Sequence, residues 1–321
     1  MHEYTHNNHF QFGYNGQWGN SRLNDNDVLN IKFGKICRPV LSYRDECYNA
    51  ARLIKKQADS LQLPIDVLFS GGKDSEVVVR SFFEQEIPVR VNILRFENNL
   101  NHHDIRDAFA TCKKMQITPV IHEIDIMSFL ENEYKQYAEK SQTFHASHFA
   151  MTWLLERLAG FPVMGVHLVQ IVNEHYERYI YTDTTGRIRS RPVPTDIVGT
   201  KWQYMIPEKL NLVWRKFLTN TNRPGVIEFF AYTPELLVSY HNDKCCEEFL
   251  RNPDRGVLGD PNKFKIMEKH FPNLQQQHKL HGYEHIDLAR MEAVVRDRLY
   301  QQYKMYDCMA HYDFKKLNEI L

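Results

Sequence analysis

Apolar and polar positions alternate along this chain in two rhythms. Over 43–61 the apolar residues Tyr48, Ala51, Leu53, Ile54, Ala58 and Leu61 recur near helical spacing, which predicts a helix. A short apolar run over 64–69 predicts a buried strand. Helical spacing resumes over 74–86, and 89–96 alternates as a second strand. A helix is predicted over 104–115, with Ile105, Ala108 and Phe109 on one side. A third strand follows over 118–126, a helix over 144–158 and a fourth strand over 161–165. Strands alternating with helices in this way predict an α/β fold: a parallel sheet sandwiched by helices.

The rhythm changes near residue 185. Residues 179–193 read as a β-hairpin turning at Thr184-Thr185-Gly186. Beyond it the chain reads as mainly helical, interrupted by Pro207, Pro224, Pro234, Pro253, Pro261 and Pro272. Three regions are therefore expected: an N-terminal arm or hairpin over 1–40, an α/β core over 41–185, and a mainly helical part over 186–321.

Composition narrows the function classes. Forty basic and forty acidic side chains leave a formal net charge of zero, which gives no strong nucleic-acid signal. The six cysteines, Cys37, Cys47, Cys112, Cys245, Cys246 and Cys308, form no CxxC pair, so a disulfide framework or structural zinc site is not expected. No apolar run reaches the roughly 20 residues of a membrane span, and 1–10 lacks the apolar segment of a signal peptide. A cytoplasmic location is the expectation.

The chemistry concentrates in Ser70-Gly71-Gly72-Lys73-Asp74-Ser75, between the first core strand and its helix. Paired glycines let a backbone turn tightly and approach a ligand closely. The following helix offers free N–H groups and the positive end of its dipole. Ser70 and Ser75 add hydroxyls and Lys73 adds charge. Asp74 would repel a phosphate unless a cation such as Mg²⁺ lay between them. The turn fits neither a Walker A loop nor a dinucleotide fingerprint. The plain alternative is a Gly-Gly turn ahead of an ordinary helix cap.

This hexapeptide resembles the SGGxDS loop of the PP-loop ATP pyrophosphatases, a HUP-like, Rossmann-like α/β family. The resemblance implies that the loop holds the pyrophosphate of ATP while a substrate oxygen attacks the α-phosphate. Pyrophosphate leaves, and a nucleophile then displaces AMP. It implies pyrophosphate binding by Ser70, Gly71, Gly72, Asp74 and Ser75, and charge stabilisation by Lys73. Phe96 and Gly165 would border the adenosine.

Three further stretches are similar to the synthetase domain of asparagine synthetase: 173–179 (NEHYERY), 227–237 (IEFFAYTPELL) and 263–283, with its lysine-led start and Phe271-Pro272. They imply that Asp74 and Glu174 serve Mg²⁺, that Lys263 or Lys265 approaches the phosphates, and that the product is an amide. The sequence departs from that pattern at Asn173 and Gln170, where the family carries acidic residues. Met1-His2 stands where a glutaminase half would begin with cysteine, so ammonia is expected from solution or from an ammonia-supplying partner. The acceptor is expected to be a small molecule or modified nucleoside.

Two alternatives stand beside this adenylating ligase. Lys73 at the variable loop position also resembles the phosphoadenosine-phosphosulfate reductase and thiolation branches, whose sulfur chemistry would need a cysteine such as Cys308. The departures at Gln170 and Asn173 allow a nucleotide-binding protein without catalysis. Among the sixteen histidines, the His102-His103 pair beside Asp104, the pair His145 and His148, and His167, His175, His281 and His285 are candidate contacts. Arg178, Arg189 and Arg191 are candidate anion forks, each with a solvated-face alternative.

Overall fold

Three short strands open the described chain: Phe10–Tyr14 (β1), Gln17–Trp18 (β2) and Leu29–Phe33 (β3). They form an antiparallel sheet in the order β2-β1-β3. The computed structural model describes residues 10–15, 17–18, 29–141, 146–167, 170–173, 178–182, 188–192, 202–207, 213–244, 261–274 and 309–313. Ser42 then caps a long helix, Tyr43–Ser60 (α1), accepting a hydrogen bond from the Asp45 amide.

The core follows from four strands whose side chains alternate between two covered faces. These are Ile65–Leu68 (β4), Arg90–Phe96 (β5), Val120–Ile124 (β6) and Phe161–Val163 (β7). Val67, Val91, Ile93 and Val163 face one side, where they pack with α1 and with helices Lys73–Phe83 (α2) and His102–Lys114 (α3). Leu68, Leu94, Phe96 and Met164 face the other side. Helices Ile126–Asn132 (α4), Tyr134–Ser141 (α5) and Ala146–Arg157 (α6) cover that face, joined by the Val213–Asn220 helix. Val67, Val91, Ile93 and Val163 have no solvent exposure. Each stabilises the fold by roughly 1.5–3 kcal/mol relative to an exposed side chain.

All pairings in this sheet are parallel, in the order β6-β5-β4-β7. The chain runs outward from β4 through α2, β5 and α3 to β6. It then crosses the opposite face and returns to the other side of β4. Right-handed crossovers require that change of face. The order therefore reverses between β4 and β7, and the loops leaving these strands diverge there. Such a point is where open α/β sheets bind ligands.

Buried polar pairs lock the arrangement. The Asp66 carboxylate, 1% exposed, accepts from Arg90 Nε at 2.8 Å and Nη2 at 2.6 Å, from Asn92 Nδ2 at 3.0 Å and from the Gly160 amide at 2.8 Å. It thereby ties β4 to β5 and to the approach to β7. Beyond β7, residues 226–228 run alongside it: the Met164 amide donates to Val226 O at 2.8 Å and the Val226 amide to Pro162 O at 2.8 Å. Glu228 in this segment forms a buried two-point pair with Arg215, both bonds at 2.8 Å.

The structure departs from the expected pattern in places. The strand expected over 118–126 ends at Ile124, because Asp125 caps α4 by accepting from the Ser128 amide. Residues 126–141, not assigned from the sequence, form α4 and α5, with Phe129, Leu130, Tyr134, Tyr137 and Ala138 buried in a common cluster. The C-terminal part, expected to be mainly helical, carries helices Val213–Asn220, Pro234–His241 and Pro261–His270. It also carries strands Trp202–Pro207 and Met309–Asp313, which build a three-stranded antiparallel sheet with Gln170–Asn173. These strands lie far apart in sequence, so local spacing does not announce their pairing. The hairpin expected over 179–193 is an antiparallel pair, Arg178–Thr182 with Ile188–Pro192. Among the described residues no helix is long and apolar enough to cross a membrane.

Candidate functional site

The 70–75 turn sits at the carboxyl end of β4. The Phe69 amide donates to Asn92 O at 2.9 Å, which keeps the chain on the sheet up to the turn. Gly71 then adopts a φ of +82°. A Cβ at this position would lie 2.8 Å from the Ala108 amide nitrogen and 2.9 Å from Asp104 O, so α3 closes against the turn. Both the left-handed backbone and the close approach require glycine.

Gly72 is the N-cap of α2 and supplies no side chain to the helix end. The first intrahelical bond is made by the Glu76 amide to Gly72 O, at 2.9 Å. The amides of Lys73, Asp74 and Ser75 precede it and have no partner within the helix. The Ser75 hydroxyl donates to Gly72 O at 2.9 Å and lies 3.2 Å from the Ser70 hydroxyl. Two hydroxyls and a run of helix-end amides thus converge on the turn, an arrangement suited to an anion.

Beside the turn lies a cavity of about 320 Å³. Ser70, Asp74, Ser75, Asn92, Asn101 and Asp104 are among its polar lining, while Leu94, Met151, Leu154, Met164 and Trp214 belong to a contiguous apolar cluster. His148 also lines it, held edge-on to Trp214 with ring centroids 4.9 Å apart. Trp214 Nε1 donates to His148 O at 3.3 Å, joining the Val213–Asn220 helix to α6. Asn101 shapes the rim: its side chain accepts from the Phe96 amide at 2.8 Å and donates to Leu94 O at 2.9 Å. A lining that combines polar groups with apolar side chains matches a ligand with a charged group and a flat or apolar body.

No lysine or arginine is among the described residues lining the cavity, whereas Asp74 and Asp104 both are. Two hard carboxylate oxygens beside a helix N-terminus suit Mg²⁺, which binds through one or two carboxylates together with phosphate oxygens and waters. The residues present therefore fit a metal-bound polyphosphate. No cluster of three or more His, Cys, Asp or Glu side chains able to hold a metal alone occurs among the described residues.

Behind the turn, His167 Nε2 lies 3.4 Å from Asp74 Oδ1. The His167 ring stacks on Phe230, centroids 4.2 Å apart, which fixes its plane. The neighbouring His241 is buried, and burial together with the His167 charge pulls its pKa down to about 3. Lys73 points elsewhere: its ammonium pairs with the Glu268 carboxylate on the Pro261–His270 helix.

Of the residues singled out from the sequence, Ser70, Asp74, Ser75, Phe96 and Gly165 line the same cavity. Gly165 also allows β7 to close on α2, since a Cβ there would lie 3.0 Å from Val78 Cγ2 and 3.1 Å from Asp74 O. Gly71 and Gly72 shape the turn. Lys73, expected at the phosphates, pairs with Glu268 on the Pro261–His270 helix. Glu174 lies outside the described residues, as do His145, His175, His281, His285 and Cys308. Lys263 lies near the start of the helix that carries Glu268, and Lys265 is exposed. Gln170 and Asn173 stand on the strand paired with Trp202–Pro207. His102 and His103 are exposed, and it is Asp104 that reaches the cavity. Met151, Met164 and Trp214 were not singled out. Their only sequence signal is apolar character, shared with every core residue.

No protein-family model matches this sequence, and no curated protein sequence does. Among solved structures, an NH3-dependent NAD synthetase from Campylobacter jejuni subsp. jejuni NCTC 11168 is similar at 17% identity and a TM-score of 0.32, over 40% of this chain and 58% of that one. An NMN synthetase from Francisella tularensis is similar at 16% identity and a TM-score of 0.30, over 40% and 56%. A NAD+ synthetase from Burkholderia pseudomallei is similar at 12% identity and a TM-score of 0.29, over 81% and 91%. The alignments with the first two span just over half the length of those proteins. Fold resemblance of this degree does not carry activity, which resides in a site's own residues.

Proposed function

We propose that this chain binds ATP with Mg²⁺ at the 70–75 turn and adenylates a substrate oxygen with release of pyrophosphate. The observation that carries this reading is the position of Ser70-Gly71-Gly72-Lys73-Asp74-Ser75. The turn opens α2 without a side-chain cap, at the reversal point of the sheet, beside a cavity lined by two aspartates. Its resemblance to the PP-loop supports the same reading.

In this reading the turn's amides and the Ser70 and Ser75 hydroxyls bind the β- and γ-phosphates. Asp74 and Asp104 would hold Mg²⁺, with Glu174 as a further ligand, and the ion would supply neutralising charge to the phosphates. Phe96, Leu94, Met164 and Gly165 border the adenosine. The substrate oxygen attacks the α-phosphorus, and the bond from that phosphorus to the β-bridging oxygen breaks. Pyrophosphate departs with that electron pair, held by donors already pointing at it. A nucleophile then attacks the adenylated carbon, AMP leaves and the nucleophile loses a proton. With ammonia the product is an amide.

The sulfur-transfer alternative rests on Cys308, which lies outside the described residues; Cys37 is exposed. Cys47 and Cys112 are buried, and burial pushes both thiols up, Cys112 to about 11. None of the described cysteines lines the cavity.

The test is pyrophosphate release from ATP and Mg²⁺ across a panel of amino acids and modified nucleosides supplied with ammonia. Acceptor-dependent release that falls at least a hundredfold in Asp74→Asn is expected, the scale for loss of a main electrostatic contributor. Tight ATP binding without release under any condition would replace catalysis by nucleotide sensing, with Gln170 and Asn173 as the departures responsible.

A further inference from the structure

Lys73 occupies the first position of α2, directly after the Gly72 cap. A cation at this position opposes the helix dipole, whose positive end lies there too. The Glu268 carboxylate offsets that repulsion in the structure. The two partners are not equivalent. The Lys73 side chain is 9% exposed and that of Glu268 is 35% exposed, so the lysine is sequestered while the acid keeps contact with water.

Glu268 is also fixed by its own helix rather than by the lysine. Ile266, Met267 and Phe271 have no exposure and belong to the main core cluster. Arg80 on α2 donates to Pro272 O at 2.8 Å. Lys269 and His270 both reach Asp243, at 2.8 Å. A rigid helix therefore presents a carboxylate to the start of α2. The lysine, on a flexible four-carbon stem, is the partner able to leave. Its chain neighbours Asp74 and Ser75 already line the cavity.

We propose that Glu268 is a positioning residue: it holds Lys73 away from the phosphate-binding turn and yields it when a polyphosphate occupies the turn. This rests on the phosphate reading of the turn given above. Breaking the pair costs binding free energy, so affinity is lower than the turn together with an available lysine would provide. Removal of the carboxylate then tightens binding, and it does so only while Lys73 is present. A purely structural Glu268 would have no such dependence on Lys73.

The experiment measures the affinity of inorganic pyrophosphate with Mg²⁺ by calorimetry for the wild type and for Glu268→Gln, Glu268→Asp, Lys73→Met and the Lys73→Met/Glu268→Gln double variant. Labelling of Lys73 by an amine-reactive reagent, read by mass spectrometry, accompanies it. Glu268→Gln is expected to bind roughly tenfold tighter, a change of about 1.4 kcal/mol, and to label faster at Lys73. Glu268→Asp should stay near wild type, and the double variant should match Lys73→Met alone. Unchanged or weaker binding by Glu268→Gln, beside a wild type that binds, overturns the role of Glu268 and leaves the turn's reading intact. So does an equal gain in the Lys73→Met background, which would be a general charge effect. If labelling rises but no variant binds pyrophosphate, the phosphate reading itself falls, and this inference with it.

Discussion

The backbone of Gly71 lies so close to Ala108 that a Cβ would sit 2.8 Å from the Ala108 amide nitrogen. The turn and α3 are thus a packed unit, and Gly71 is further held at a φ of +82°. Gly71→Ala is expected to combine the left-handed penalty of roughly 1–2 kcal/mol with displacement of α3. Urea unfolding should register a loss of about 2 kcal/mol or more, and affinity for ATP should fall in the same variant. Wild-type stability together with wild-type affinity would show that the turn relaxes without consequence.

Asp66 is the shared acceptor of three strand-level donors at the opposite end of β4. Asp66→Ala leaves Asn92 and the Gly160 amide without this acceptor while Arg90 turns to solvent. Loss of a buried, multiply bonded carboxylate costs roughly 3 kcal/mol. Thermal unfolding should show a clear drop in midpoint. Since Asp66 lies at the far end of β4 from the turn, the ATP affinity of the protein that remains folded should hold.

The His241 imidazole, buried and beside His167, has its pKa pulled down to about 3. In the unfolded chain histidine takes a proton near 6.5. Between these limits the unfolded state binds the extra proton, so stability rises with pH across the window. The contribution is complete above about pH 6.5 and is lost as the pH falls toward 3. The slope from this group approaches 1.4 kcal/mol per pH unit. Denaturation at pH 7.5 and pH 5 should show a smaller acid-induced loss in His241→Phe than in the wild type. Equal losses would remove His241 from the explanation.

Asp104 lines the cavity from the first turn of α3, and Asp74 lines it from the first turn of α2. If both hold Mg²⁺, Asp104→Asn should raise the Mg²⁺ concentration that half-saturates ATP binding by roughly tenfold, with ATP affinity at saturating Mg²⁺ largely restored. Calorimetry across a Mg²⁺ series checks this without reference to turnover. An unchanged Mg²⁺ requirement would assign Asp104 to the rim alone.

Much of the core was legible in the sequence. Val67, Val91, Ile93 and Val163 announce their strands because a buried parallel strand needs apolar side chains on both faces, and α1 announces itself by its apolar spacing. Ser70-Gly71-Gly72 could be placed between strand and helix because only a tight turn joins those two rhythms. The ends of elements were less legible. Asp125 stops β6 by capping α4, a choice made by a side-chain hydrogen bond rather than by hydrophobic pattern. The sheet built from Gln170–Asn173, Trp202–Pro207 and Met309–Asp313 was hidden because its partners lie far apart along the chain.

Local chemistry acts over a few residues, and to that range the sequence by itself determined this protein: alternating strands and helices, a glycine turn opening α2, and aspartates and serines at that turn. The partner of Lys73 lies 195 positions away, and Trp214 meets His148 across 66. No local preference selects such pairs. The reversal of strand order between β4 and β7 decides which helices face each other, and with them the shape of the cavity and the carboxylate that holds the lysine.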